Sequence, residues 1–202
     1  MKKLIYLMMC LGLSLTSSAC NTDSDGPQME QPEEINPANP DFGKTLIVYY
    51  SYTNNVHTIV NDLRTKIDAD VVRVEPAEKG LDYAANNYAI GSALIAGIRD
   101  NPNDASSYPA IDPVNVDLSQ YSTIIVGTPL WWSNMAAPMQ TFLFQHGQEM
   151  AGKNIGLIVS SGSSGISGVE TDAKRLIAGG NFISPSLWIR SSQTSNAGTL
   201  ID

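Results

Sequence analysis

Thr45-Leu46-Ile47-Val48-Tyr49-Tyr50 is an unbroken run of β-forming residues, and Ser51-Tyr52-Thr53-Asn54-Asn55 follows it directly. A strand with no polar alternation is buried on both faces, as in a parallel sheet. From Val56 apolar residues recur at Ile59, Val60, Leu63 and Ile67, which is helical spacing. Strand, polar turn, helix is half of a βαβ unit, and the order repeats outward. Val71 to Val74 reads as a second strand. Tyr83 to Ile98 reads as a helix with Ile90, Leu94, Ile95 and Ile98 on one face. Residues 100–119, with Pro102, Pro109 and Pro113, read as a loop. Thr123 to Gly127 is a third strand, and Met135 to Gln148 a helix with Pro138 near its start, where proline is tolerated. Asn154 to Val159 is a fourth strand. Val169 to Ala178 is a helix closed by Gly179-Gly180, and Leu187 to Ile189 belongs to a fifth strand. The alternation predicts right-handed crossovers and an α/β fold, an open parallel sheet with helices on both faces.

Ligands of such sheets sit beyond the carboxyl ends of the strands. Three loops fall there. Ser51 to Val56 opens a helix, whose first N–H groups and dipole attract an anion. The same residues also make an ordinary helix cap. Gly127-Thr128-Pro129-Leu130-Trp131-Trp132-Ser133-Asn134 places two adjacent tryptophans at a strand end. Neighbouring side chains diverge, so the two cannot share one core; one is free to cover a flat ligand, or both pack under the following helix. Ser160-Ser161-Gly162-Ser163-Ser164-Gly165 lets a ligand approach the backbone, or serves as a linker. The long segment 76–119 reads as a crossover helix and loop, with Tyr83, Tyr88 and Tyr108 as candidates to close over the strand ends.

Composition narrows the function. The 202 residues carry a formal net charge of −8, without the Lys/Arg surplus that nucleic-acid binding needs. Cys10 and Cys20 are the only cysteines, which excludes a disulfide framework and a Cys-cluster zinc site. With His57 and His146 alone, a His-rich metal centre is not expected. His57 reads as an exposed helix residue and His146 lies near a helix end, where a cation is favoured. No Ser–His–Asp or Cys–His arrangement is visible, and Gly162-Ser163-Ser164-Gly165 has the wrong spacing for a nucleophile elbow.

The amino terminus reads as an export signal. Lys2 and Lys3 precede an apolar run from Leu4 to Leu15, too short to span a ~30 Å hydrocarbon core. Thr16-Ser17-Ser18-Ala19 and Cys20 follow, which resembles a bacterial lipoprotein signal cleaved before a lipid-bearing cysteine. An ordinary secretory signal with an incidental Cys is the alternative. The expected division is a signal peptide at 1–19, a lipidated Cys20 with a tether through 43, and a folded domain at 44–202. The tether holds Asp23, Asp25, Glu30, Glu33, Glu34 and Asp41, four prolines and no Lys or Arg, so it cannot fold alone. The domain keeps 14 acids and 10 bases.

With these residues in view, the chain resembles the flavodoxin family. Strand, Ser51-Tyr52-Thr53-Asn54-Asn55 and helix looks like the flavodoxin phosphate loop. Gly127-Thr128-Pro129-Leu130-Trp131-Trp132 resembles the Gly-x-Pro-Ile-Trp-Trp stretch of flavodoxin-like lipoproteins and related small FMN proteins. Ser160-Ser161-Gly162-Ser163 resembles their third flavin-edge loop. The resemblance covers 44–202 and implies a five-stranded sheet of order 2-1-3-4-5 with FMN as cofactor. It implies that Ser51, Thr53, Asn54, Asn55 and Val56 hold the phosphate. It implies that Thr128, Pro129, Leu130, Trp131 and Trp132 line the flavin ring, with Ser161 and Gly162 at its far edge. Two positions depart from the family's Ser/Thr-x-Thr-Gly-Asn-Thr pattern. Asn54 replaces Gly, and Asn tolerates a left-handed backbone better than most residues. Val56 replaces Thr and removes one hydroxyl donor, worth about 1.5–3 kcal/mol to a charged group. After the fifth strand only Ser195 to Asp202 remain, so the family's last helix is expected to be short or missing, or its place covered by a partner.

The expected function is an FMN-binding redox lipoprotein of the cell envelope, held to a membrane through lipid on Cys20. It either carries electrons to a redox partner or reduces a small-molecule acceptor. A binding module of the same fold that has lost FMN is the alternative, and a hydrolase on the same sheet is the weakest reading.

Overall fold

A computed structural model describes residues 42–196. The readings made for residues 1–41, Cys20 included, and for 197–202 lie outside the described residues. Strand β1 (Thr45–Tyr49) is buried at every position. Leu46 and Val48 face one side and Ile47 and Tyr49 the other, as the two-residue period requires. It pairs in parallel with β2 (Asp70–Arg73) and with β3 (Thr123–Trp131), in register from Thr45↔Thr123 to Tyr49↔Gly127. On the far side β3 pairs with β5 (Asn154–Ser161), from Thr123↔Asn154 to Pro129↔Ser160. Between them β4 (Asn134–Met135) folds back on the end of β3 as an antiparallel hairpin.

The fifth position is divided. β6 (Asn181–Phe182) pairs with the start of β5, and β7 (Leu187–Arg190) with its end. Pro185 lies between them and has no N–H to give a ladder. The order β2-β1-β3-β5-β6/β7 is the expected 2-1-3-4-5, with two short strands sharing the last place.

Helices cover both faces. On one, α3 (Ala137–His146) and α4 (Ser167–Leu176) bring Met139, Phe142, Leu143, Val169 and Ala173 onto Leu46, Val48, Ile124, Val126 and Leu157. On the other, α1 (Asn55–Leu63) packs Val56 and Val60 on Ile47 and Tyr49, and Ile59 on Ile158 and Ile189. Helix α2 (Ala85–Asp100) buries Ile95 and Ile98 beside Ala137. Ile90, expected on that apolar face, is instead exposed. The backbone just before it is left-handed at Asn86, Asn87 and Tyr88, so the helical period does not carry through. The expected boundaries of α1, α3 and α4 shift by a few residues, and a 3₁₀ turn at Gly147–Met150 continues α3. After β7 another 3₁₀ segment, Ser191–Asn196, lies against α1.

Candidate functional site

The carboxyl ends of β1, β3 and β5 converge on a cleft of about 610 Å³. Ser51, Thr53, Asn55 and Val56 line it from the first loop, Pro129, Leu130 and Trp131 from the second, and Ser161 and Gly162 from the third. Among the expected residues Asn54, Thr128 and Trp132 are not in its lining. Among the described residues the lining includes no charged side chain.

In the first loop Ser51 is buried, and its Oγ accepts the His57 N–H at 3.2 Å. The Ser51 hydroxyl proton stays available to the cleft. Asn55 Nδ2 donates to Thr53 Oγ1 at 3.2 Å, and Arg73 donates to the Ser51 carbonyl at 3.0 Å. Asn54 caps α1 at φ 61°, the left-handed backbone expected of the residue in the Gly place. Its role is that bend, which sends Asn55 and Val56 into the cleft wall. No acid occupies the first turn of α1, so the N–H groups that a helix cannot pair internally present positive potential there. Val56 has its side chain in the core with Ile47, Tyr49 and Val60. His57, expected to be exposed, is half-buried: one ring nitrogen pairs with Tyr49 Oη at 2.6 Å and the other with Asn61 Nδ2 at 3.0 Å.

The second loop is a hairpin that the sequence pattern does not announce. Leu130 pairs with Met135 and Trp131 with Asn134, leaving Trp132-Ser133 as a two-residue turn at φ 45° and 64°. Such turns need positive φ at both places and usually carry Asn-Gly. This one is held from outside. Asp172 of α4, nearly buried, accepts the Met135 N–H at 2.9 Å and Asn134 Nδ2 at 3.1 Å. Gly168 lets α4 approach, because a Cβ there would lie 1.9 Å from the Ser133 carbonyl oxygen. Thr128 belongs to this scaffold: it is fully buried, its hydroxyl donating to the Pro129 carbonyl and accepting the Ala136 N–H. The two tryptophans part as expected. Trp131 packs edge-on against Tyr50 and Tyr52 and tilted on Tyr83, while Trp132 is 45% exposed.

In the third loop Ser161 Oγ accepts Trp188 Nε1 at 2.8 Å and donates to the Ser164 carbonyl at 2.9 Å. Its hydroxyl is committed inside the protein. Its neighbour Ser160, inside the quoted third loop but not among the residues assigned to the ring's edge, also lines the cleft. Ser160 Oγ is buried and has no hydrogen-bond partner among the described residues.

Tyr52, Ala84, Tyr88 and Ser191 complete the lining. Tyr52 lay inside the quoted loop, but no local signal marks Ser191. Tyr83 and Tyr88 do sit over the strand ends, whereas Tyr108 stacks on Phe144 elsewhere. Tyr52 Oη donates to Asp82 at 2.8 Å, joining the first loop to the segment before α2. That bond raises the Tyr52 phenol above its usual range and holds the Asp82 carboxyl below its own. Burial raises the Tyr83 phenol, and the Tyr50 phenol further.

The comparisons agree with this architecture. The flavoprotein of Lactobacillus acidophilus NCFM, solved in complex with FMN, is 22% identical with a TM-score of 0.60, over 77% of this chain and 98% of that one. A candidate flavoprotein from Bacteroides uniformis ATCC 8492 is 25% identical with a TM-score of 0.60, over 79% and 97%. One from Bacteroides eggerthii DSM 20697 is 22% identical with a TM-score of 0.59, over 78% and 97%. A family model described as flavodoxin matches residues 44–197, well over half of the chain, and so this protein belongs to the flavodoxin family.

Proposed function

We propose that the cleft binds FMN and that the protein is a flavin redox lipoprotein, exported and anchored at the cell envelope through lipid on Cys20. The observation that carries the FMN reading is the buried, unpartnered Ser160 hydroxyl in a cleft where three loops meet. A buried polar group without a partner is destabilising by about 1–3 kcal/mol, and a ligand oxygen or ring nitrogen relieves it. The rest of the cleft fits the same group. The first-turn amides of α1 and the Ser51 and Thr53 hydroxyls suit a phosphate without a cationic side chain. Pro129, Leu130 and Trp131 offer an apolar wall to a flat ring, and Gly162 leaves open space where a side chain would stand. Bound FMN supplies one- and two-electron transfer. The chain's own residues bind it, orient it and keep water from its buried edge. Whether the electrons go to a redox protein or to a small acceptor depends on what reaches the exposed edge.

Val56 favours a second reading, a binding module of this fold without FMN, because its apolar side chain is in the core where the family has a hydroxyl. A visible spectrum of the full chain titrated with FMN separates the two. We expect the flavin bands to shift and saturate at about micromolar FMN, and Trp131→Ala to weaken binding about five- to tenfold through the lost ring contact. No spectral change at millimolar FMN would leave the second reading standing.

A further inference from the structure

Beside the flavin cleft lies a smaller pocket of about 270 Å³. Tyr52, Tyr83, Tyr88, Leu130, Trp131 and Trp132 wall it, and among the described residues no charged side chain is in its lining. It shares Tyr52, Tyr88, Leu130 and Trp131 with the cleft, so the two adjoin. Its two outer rings, Tyr88 and Trp132, stand edge to face with centroids 6.2 Å apart. They are 51% and 45% exposed, which leaves much apolar ring surface in water. Both are held there by backbone that L-residues rarely adopt: Trp132 at φ 45°, and Tyr88 at φ 62° behind Asn86 at 50° and Asn87 at 56°. Two separate elements each carry left-handed backbone to bring these rings together, and neither gains full burial by it. Strained backbone of this kind clusters at active sites and ligand clamps. Gly91 closes the back, since a Cβ there would stand 3.0 Å from the Trp132 ring.

We infer that this pocket binds a planar, uncharged aromatic molecule of one or two rings, seated next to the flavin cleft. Size and chemistry set the class. Pockets for drug-sized ligands run about 300–1,000 Å³, and this one lies just below that range. Aromatic walls arranged edge to face reward a flat π-surface, and the uncharged lining disfavours an ion. That this ligand is the small acceptor of the redox reaction rests on the FMN reading above; the binding itself does not.

The test uses the full chain and calorimetric titration with 2-naphthol, against decahydro-2-naphthol, which has the same carbon skeleton and hydroxyl but is not planar. The expected result is binding of 2-naphthol, at least about tenfold weaker binding of the saturated analogue, and a loss of about five- to tenfold in Trp132→Ala and, independently, in Tyr88→Ala. The two variants lie on different elements, so a fold defect in one does not mimic the other. FMN is titrated into the same samples. Binding of 2-naphthol with no FMN binding would leave this pocket standing and remove the flavin reading. FMN binding without 2-naphthol binding would overturn the pocket alone. Displacement of 2-naphthol by FMN, or equal affinity for the saturated analogue, would also overturn it.

Discussion

Ser160 carries opposite predictions for the free and the flavin-bound protein. Its hydroxyl is buried without a partner, so Ser160→Ala removes an unsatisfied group. In the absence of FMN the variant is expected to melt no lower than the parent and up to about 1 kcal/mol more stably. In FMN titration the same variant is expected to bind more weakly, by about tenfold for one hydrogen bond. A fall in both quantities would mean that Ser160 is a packing residue with no ligand role. Tyr52 and Asp82 contribute a pH dependence beside the cleft. Their hydrogen bond depresses the folded carboxyl and raises the folded phenol. The carboxyl's contribution is therefore present above the ordinary carboxylate range and lost as pH falls through its lowered value. The phenol's is present below the ordinary phenol range and lost as pH rises through its raised value. Ultraviolet difference titration is expected to show Tyr52 ionising later than a free phenol, and Asp82→Asn to bring it back down. An unchanged Tyr52 titration in that variant would rule out the tie.

At the level of elements, the Trp-bearing hairpin is held by α4. Asp172 takes two donors from the turn, and Arg175 extends the contact, donating to Gln140 Oε1 at 3.0 Å while Gln140 Nε2 donates to the Met135 carbonyl at 2.7 Å. Removing the carboxylate in Asp172→Ala strands the buried Met135 N–H and frees Asn134 Nδ2, while Arg175 keeps Gln140 and Tyr108, for an expected loss of about 1–3 kcal/mol. Thermal melting checks the stability, and weaker FMN binding checks that the hairpin shapes the cleft. Gly168→Ala is expected to act on the same turn by steric means, since its Cβ meets a carbonyl that must move. An Asp172→Ala variant with parental melting and FMN affinity would show that the turn holds itself. This hairpin also marks where sequence reading stops. The apolar runs of β1, β3 and β5 were legible because buried parallel strands lack polar alternation. Trp132-Ser133 was not, because nothing in those two residue types favours positive φ; the conformation comes from Asp172 and Gly168, far off in sequence. The left-handed run at Asn86–Tyr88 was hidden for another reason: Asn accepts such backbone, but the pair stands inside a stretch of helical composition. Asn54 was legible, because a family pattern with Gly at its place named the conformation in advance.

For the whole molecule, the described chain enters at one edge of the sheet and the cleft lies at the other. The described chain begins at Phe42, whose carbonyl accepts the Thr123 hydroxyl at the start of β3. That is the amino edge of the sheet. The cleft lies at the carboxyl edge, past Tyr49 and Pro129. At ~3.3 Å per residue the five residues of β1 set these edges roughly 16 Å apart. Phe42 therefore lies on the side of the domain away from the cleft. On the lipid anchor proposed above, Cys20 is a position of attachment and is not among the residues that line the cleft. Two consequences can be measured on the full chain expressed in a bacterium that processes lipoproteins. Cys20→Ser is expected to move the protein from the membrane fraction to the soluble fraction. Its FMN affinity is expected to match the parent's, because the mutated position acts on attachment and not on the cleft. Membrane association that survives Cys20→Ser would remove the lipid anchor from this account, and an FMN affinity that changes with it would mean that the amino-terminal segment reaches the cleft after all.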